Sequence, residues 1–446
     1  MILLIGLLSL ADTLYLTLSK SIEIALGQNK SLLSAQEYLN AAKSTLTASK
    51  CEIGNRSGLI PSITLSNSEN SGKLSISSSQ TLPTGGYLDL YTNLGQSGFT
   101  IRSPKKNNIE YRISFSQPLF TDNLTKFAVQ ESKFNMLCQE ANYDVAKRDL
   151  LFSVIEGFYG VIKAEESIKV QEEVVKRANA LVELSNAQFT KGLAIDVDLL
   201  EAQIYLSMVE IALSHAKINL YYAKEQFSAL LYLEPSQEFN LSYELSIKPS
   251  QVDLPALTDS AIKTYPFIKK ITHEIELAKL DIKKAKRGFD YNLILTGNYG
   301  KSGFDSSFKF NFQSLEESWS VGAQINLPLS DNRITLNKVK SAMHNLKALE
   351  LIKDKTKREL EMQINQEVVC LTEFYNQYKL LQTATEYAKS NVRFSEVKFK
   401  EGLIRGEVVI RAQDYFTTTQ LTLVNSIVNY TLSQAKLYYL TGASYF

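Results

Sequence analysis

QFTKGLAIDVDLLEAQIY at 188–205 and KFKEGLIRGEVVIRAQDY at 398–415 are two versions of one turn. Phe189/Phe399, Gly192/Gly402, Leu193/Leu403, Ala202/Ala412, Gln203/Gln413 and Tyr205/Tyr415 each stand 210 residues apart. Upstream, ISFSQPLFTDN at 113–123 is echoed by AQINLPLSDN at 323–332, and Pro118 and Pro328 are again 210 apart. The interval from proline to glycine is therefore 74 residues in both halves (192 − 118 and 402 − 328). Loops tolerate insertions and drift in length, so equal intervals imply two rigid rods.

The intervals read as helices. No proline falls between Asn123 and Lys191 or between Asn332 and Glu401, and only Gly157 and Gly160 interrupt the first. In the second, Ile364, Leu371, Phe374, Tyr378, Leu381, Ala388, Val392 and Phe399 follow alternating three- and four-residue steps with one site skipped, a coiled-coil seam. A helix of nearly 70 residues is roughly 100 Å long. Each rod stops at a glycine, as helices do, and a second helical stretch follows, 198–233 and 408–440. A short link between two helices predicts an antiparallel hairpin, with Gly192-Leu193 and Gly402-Leu403 as its tips, remote from the proline strands.

Before each rod the period changes to two. Tyr111, Ile113 and Phe115, then Tyr291, Leu293, Leu295 and Tyr299, then Trp319, Val321, Ala323, Ile325 and Leu327 alternate with polar or small residues, as do Ile63 and Leu65. KLSISSSQTL at 73–82 and GGYLDLYTNL at 85–94 are surplus strand-like sequence with no counterpart in the second half; an external loop and an added hairpin both fit. Helical stretches at 16–50 and 254–288 precede the two strand regions. The expected organisation is a first repeat over 12–234, a linker at 235–254 containing Pro235 and Pro249, and a second repeat over 255–446. Met1–Leu10 is apolar and Ser9-Leu10-Ala11 fits a small-residue cleavage site, so 1–11 reads as a truncated signal peptide.

Composition excludes several functions. Lys+Arg is 48 and Asp+Glu 47, no basis for binding nucleic acid. The three cysteines and three histidines are dispersed, with no metal-ligand spacing, and no nucleophile elbow, P-loop or zinc-protease motif occurs. Neither enzyme activity nor a cofactor or metal is expected. Nothing beyond the N-terminus has the 18 or so apolar residues of a membrane helix. Four amphipathic strands cannot close a barrel alone, and an open sheet leaves unpaired edges in lipid. Shared among three copies, they make a twelve-stranded barrel.

The duplicated half, Pro118 and Pro328 at the strand-to-helix passage, the tip glycines, SIEIALGQN at 21–29 and GLIPSITLS at 58–66 together resemble the outer-membrane efflux protein (TolC) family, over essentially the whole mature chain. The resemblance implies an α+β, mostly helical protomer. Three copies would form a twelve-stranded barrel in the outer membrane and a long antiparallel α-helical tunnel in the periplasm. It also implies a passive channel in a tripartite efflux or type I secretion system, with a periplasmic adaptor and an inner-membrane pump or ABC transporter as partners. Gly192, Leu193, Gly402 and Leu403 would be adaptor contacts. The positions that form the family's acidic ring carry Val408 and Arg411, the locking arginine position carries Ile404 with Arg405 beside it, and the partner aspartate matches Asp198. The acidic ring is thus not reproduced. Asp196, Asp198 and Glu201 on one tip and Arg405 and Arg411 on the other are instead placed to pair across an iris-like aperture. A periplasmic coiled-coil protein without a pore is the competing reading, and it has no use for amphipathic strands.

Overall fold

The computed structural model describes residues 14–52, 54–64, 71–97, 106–119, 124–192, 195–234, 237–247, 254–287, 292–305, 315–327 and 330–442. The expected signal segment at 1–11, Pro328 and Leu193 lie outside the described residues.

The order is β1 (Leu14–Leu16), α1 (Leu18–Gln28), α2 (Lys30–Cys51), β2 (Asn55–Thr64), β3 (Ser71–Thr81), β4 (Tyr87–Ser97), β5 (Lys106–Leu119), α3 (Leu124–Thr190) and α4 (Asp196–Leu231), then β6 (Phe239–Leu241), α5 (Leu254–Thr264), α6 (Pro266–Lys286), β7 (Asn292–Asp305), β8 (Glu316–Asn326), α7 (Ile334–Lys400) and α8 (Gly406–Thr441). Both rods are single helices of 67 residues, and both return helices have 36. All four boundaries of α3 and α4 recur in α7 and α8 at an offset of 210 (334 − 124, 400 − 190, 406 − 196, 441 − 231).

The chain forms two compact units. The first gathers the described residues within Met1–Gln36, Asn142–Lys269 and Lys355–Phe446. One core lies where α3 and α4 pack against α1 and the two-stranded parallel pair β1–β6. Phe227, Leu231, Val161 and Ile162 there are no more than 1% exposed. A Cβ on Gly157 would stand 2.9 Å from the Phe227 ring, whereas one on Gly160 would meet nothing within 4 Å. The first glycine admits an aromatic ring; the second is a plain interruption of helix propensity. The seam expected along α7 is real, with Ile364, Leu371, Val392 and Phe399 at most 5% exposed. β6 falls inside the segment expected as a linker.

The second unit gathers Glu37–Ala141 and Lys270–Asp354. Its helices pack through Ser49 on Ser132 (2.7 Å between hydroxyls), Phe134 beside His273 and a Lys284–Glu131 ion pair. The Cys138 Sγ lies against the Lys270 carbonyl, and burial pushes its thiol up to about 11, so it stays neutral. The sheet is a six-stranded antiparallel meander in the order β2-β3-β4-β5-β7-β8. The sheet holds the four expected strands, β2, β5, β7 and β8, and two more. The surplus sequence at 73–94 is an added hairpin, β3–β4, lying between β2 and β5 with eleven registered pairs to β4's far neighbour.

Candidate functional site: an inside-out sheet and a paired tip

Residues paired across an antiparallel ladder share a face, so the register assigns every strand position. Leu74 and Ile76 of β3, Leu90 of β4, Ile113 and Phe115 of β5, Leu295 and Tyr299 of β7, and Trp319, Val321 and Ile325 of β8 all fall on one face. All ten are exposed, Trp319 at 75% and Val321 at 81%. The opposite face carries Ser75, Ser77, Ser79, Asp89, Asn93, Arg112, Ser114, Asn298 and Ser320. Ser75 and Asn93 on that side are 6% and 3% exposed, with the Ser75 hydroxyl donating to Asn93 Oδ1 at 3.5 Å. Ten exposed apolar side chains on one face, with the polar and charged residues gathered on the other, are not the arrangement of a water-soluble sheet. They match a barrel wall with a polar interior and a lipid-facing exterior. Tyr299 pairs in register with Trp319, one step along the face from Lys301 with Glu317. An aromatic pair beside a charged pair is the pattern of a membrane–water boundary.

The edges of this sheet are β2 and β8, and all eleven residues of β8 are exposed. Pro118 lies near the end of β5, opposite Ile294, six residues before the first residue of α3. Among the described residues no helix is long and apolar enough to cross a membrane.

The tips belong to the first unit. Gly192 and Gly402 adopt φ +72° and +74°, and each amide donates at 2.9 Å, to the carbonyls of Phe189 and Phe399. These left-handed positions let the helix end and reverse, a conformation that costs any residue with a Cβ. Leu403 is 68% exposed. Of the charged residues singled out from sequence, one cross-tip pair forms within a single chain: Arg405 Nε lies 3.7 Å from Asp198 Oδ1, joining the start of α8 to the first turn of α4. Asp198 also reaches back over the start of α4, its Oδ2 accepting from the amide of the cap residue Ile195 at 3.4 Å. Arg411 pairs instead with Glu407, four residues back on its own helix. Asp196 is exposed, and the Glu201 Oε2 is buried. Beneath the tips, Val174, Ala178 and Leu181 of α3, Ala202 and Tyr205 of α4, Phe399 of α7 and Val409 of α8 form one core. Burial raises the Tyr205 phenol pKa, with the Asp414 carboxylate as a second cause.

Two features escaped the sequence. A groove of about 430 Å³ near the tips is lined by Lys176, Arg177, Arg393 and Lys400 against the single acid Glu396. Its walls are tied together by Gln188 donating to the Lys400 carbonyl (2.8 Å), Gln413 to Glu396 (3.2 Å) and Arg177 stacked 5.0 Å from the Phe416 ring centre. Second, α7 carries another apolar row, Met362, Val369, Leu380, Tyr387 and Phe394, all at least 61% exposed. Exposed Leu200, Ile204, Met208 and Ile211 form a matching row on α4. The spacing of the α7 row, steps of seven with one of eleven, was the available signal, hidden behind the stronger inner seam.

Residues 21–231 match the family model described as outer membrane efflux protein. The alkaline protease secretion protein AprF of Pseudomonas aeruginosa is 22% identical over 268 residues, which is 59% of this chain; the match spans about half (54%) of that relative's length. Among solved structures, the outer-membrane channel OprN superposes with a TM-score of 0.75 at 14% identity, covering 96% of this chain and 90% of that one. The open-state MtrE outer membrane channel of Neisseria gonorrhoeae gives 0.74 at 15% identity over 96% and 89%. The CmeC outer membrane channel of Campylobacter jejuni gives 0.71 at 16% over 95% and 85%. At such identities the structures speak for the fold, and the fold agrees with the repeat read from the sequence. Residues 21–231 are thus similar in sequence to the outer membrane efflux protein family, and the chain as a whole shares the fold of solved outer-membrane channels.

Proposed function

We propose that this chain is the outer-membrane channel of a tripartite efflux or type I secretion system, a passive conduit through which a periplasmic adaptor and an inner-membrane pump or ABC transporter deliver cargo to the exterior. The observation that carries the reading is the inside-out sheet: ten apolar side chains exposed on one face, the serines, asparagines and charged residues gathered on the other, and two unpaired edges. Such a sheet is stable only in lipid and only when its edges are paired. The exposed apolar rows of α4 and α7 ask for the same remedy in the helical part. Three copies around one axis satisfy both, with the helices in the periplasm and the sheet in the outer membrane.

In this reading the tips meet the adaptor through Gly192, Leu193, Gly402 and Leu403, and the cationic groove favours acidic side chains on the docking segment. The Arg405–Asp198 pair holds the two tips of one chain together, and Asp196, Glu201 and Arg411 face the aperture as its charged rim. Opening requires that the pair be loosened, a modest cost for a bond whose arginine is 60% exposed.

Photo-crosslinking residues at Leu193 and Leu403 in intact cells test the contact assignment. An adaptor-sized product from either site supports it, and none from both rejects it. Fractionation tests the class: sedimentation with outer membranes is expected, whereas recovery in the soluble periplasm would favour the pore-free coiled coil.

A further inference from the structure

The β3–β4 hairpin is the one part of the sheet that the duplication does not explain. We propose that it is built into the membrane wall, so that three copies close a barrel of eighteen strands (three times the six of each sheet), the β8 edge of one copy pairing with the β2 edge of the next. The inference rests on the trimeric channel reading.

Four observations carry it. β3 and β4 have eleven residues each, about the 9–11 of a membrane-crossing strand. Their pairing is unbroken, from Ser71 with Ser97 to Thr81 with Tyr87, and β4 continues into β5 from Tyr87–Ser116 to Ser97–Lys106. Leu74, Ile76 and Leu90 join the exposed apolar face, while Ser75 and Asn93 on the other face are 6% and 3% exposed. A flap standing in water has no reason to bury serine and expose leucine on the plan of the neighbouring wall. Finally, inserting two strands preserves direction. β2 and β5 remain antiparallel, and with an even number of strands in each copy the β8–β2 seam is antiparallel like every pair within the sheet.

Barrel diameter grows roughly linearly with strand number, so the lumen would be about half as wide again as that of a twelve-stranded trimer. The charged side chains Lys73 and Asp89, contributed by the hairpin, would line it.

The test is strand counting by electron cryo-microscopy of the full chain in lipid nanodiscs. Eighteen strands in cross-section are expected, and twelve in a variant lacking residues 71–97. A threefold ring of twelve strands in the intact chain, with β3–β4 outside the wall, would overturn the hairpin's assignment and leave the channel reading standing. A particle without threefold symmetry would remove both. Nitroxide labels give an independent check: at Leu90→Cys collision with oxygen should dominate, and at Asp89→Cys collision with a water-soluble nickel complex. Equal access of the nickel reagent to both sites would contradict a wall position.

Discussion

The first half of the chain has helices of 67 and 36 residues, and so has the second, at a constant offset of 210. Before its long helix, however, the first half carries four sheet strands and the second only two. The difference shows which lengths the architecture fixes. Rods that share a seam and must turn together cannot drift: one added residue rotates everything beyond it by about 100° and shifts it by about 1.5 Å. A sheet accepts strands in pairs, because a hairpin changes neither the direction nor the facing of its neighbours.

The halves also differ inside their matched helices. Gly157 and Phe227 of the first half stand where the second has Glu367 and Leu437. A ring fills the notch left by a missing side chain in one; in the other Glu367 accepts from the Ser433 hydroxyl at 2.9 Å. Phe227→Ala should therefore be the most damaging change, costing about 3–5 kcal/mol as expected for an emptied aromatic site. It should be seen as a lowered thermal midpoint of helix loss in detergent.

Gly157→Ala should cost about 1–3 kcal/mol, since the new Cβ meets the Phe227 ring. Gly160→Ala, three residues on and facing open space, should stabilise α3 by about 0.5–1 kcal/mol in the same assay. Equal effects at the two glycines would break the notch-and-ring explanation.

At the tips the comparison is one of charge. The first tip supplies Asp198 and the second Arg405, so the repeat has become complementary rather than identical. Arg405→Ala should change stability by less than about 1 kcal/mol, the arginine being largely exposed, yet raise single-channel conductance in planar bilayers. Unchanged conductance would remove the pair from the gate.

The smallest effect is expected at the start of α7, where Asp331 accepts from the amides of Arg333 (3.0 Å) and Thr335 (2.7 Å). The Thr335 hydroxyl first, and then these amides, hold its carboxyl below the ordinary 3.8. A lowered folded value means that the cap's contribution is complete above 3.8 and fades as pH falls through the lower value. Amide protection in the first turn of α7, corrected for intrinsic exchange, should drop selectively below pH 4 and disappear in Asp331→Ala.

The long helices, their tips and their exact phase were legible in the sequence, because Pro118, Gly192, Pro328 and Gly402 punctuate rods of otherwise unbroken propensity. The hairpin was visible as strand-like sequence but could not be placed. Its partners are each other and their two flanks, so no repeat marks it, and serines such as Ser75 carry no sign that they are buried. The cationic groove was hidden for a related reason. Lys176 and Arg393 are ordinary helix-surface residues until two rods lie side by side.

The central claim is that the open sheet and the exposed helical rows are completed by identical neighbours. Native mass spectrometry of particles extracted from outer membranes tests it most directly. Three chains per particle, separating to single chains only on heating, are expected; a stable monomer or dimer embedded in the membrane would contradict the account.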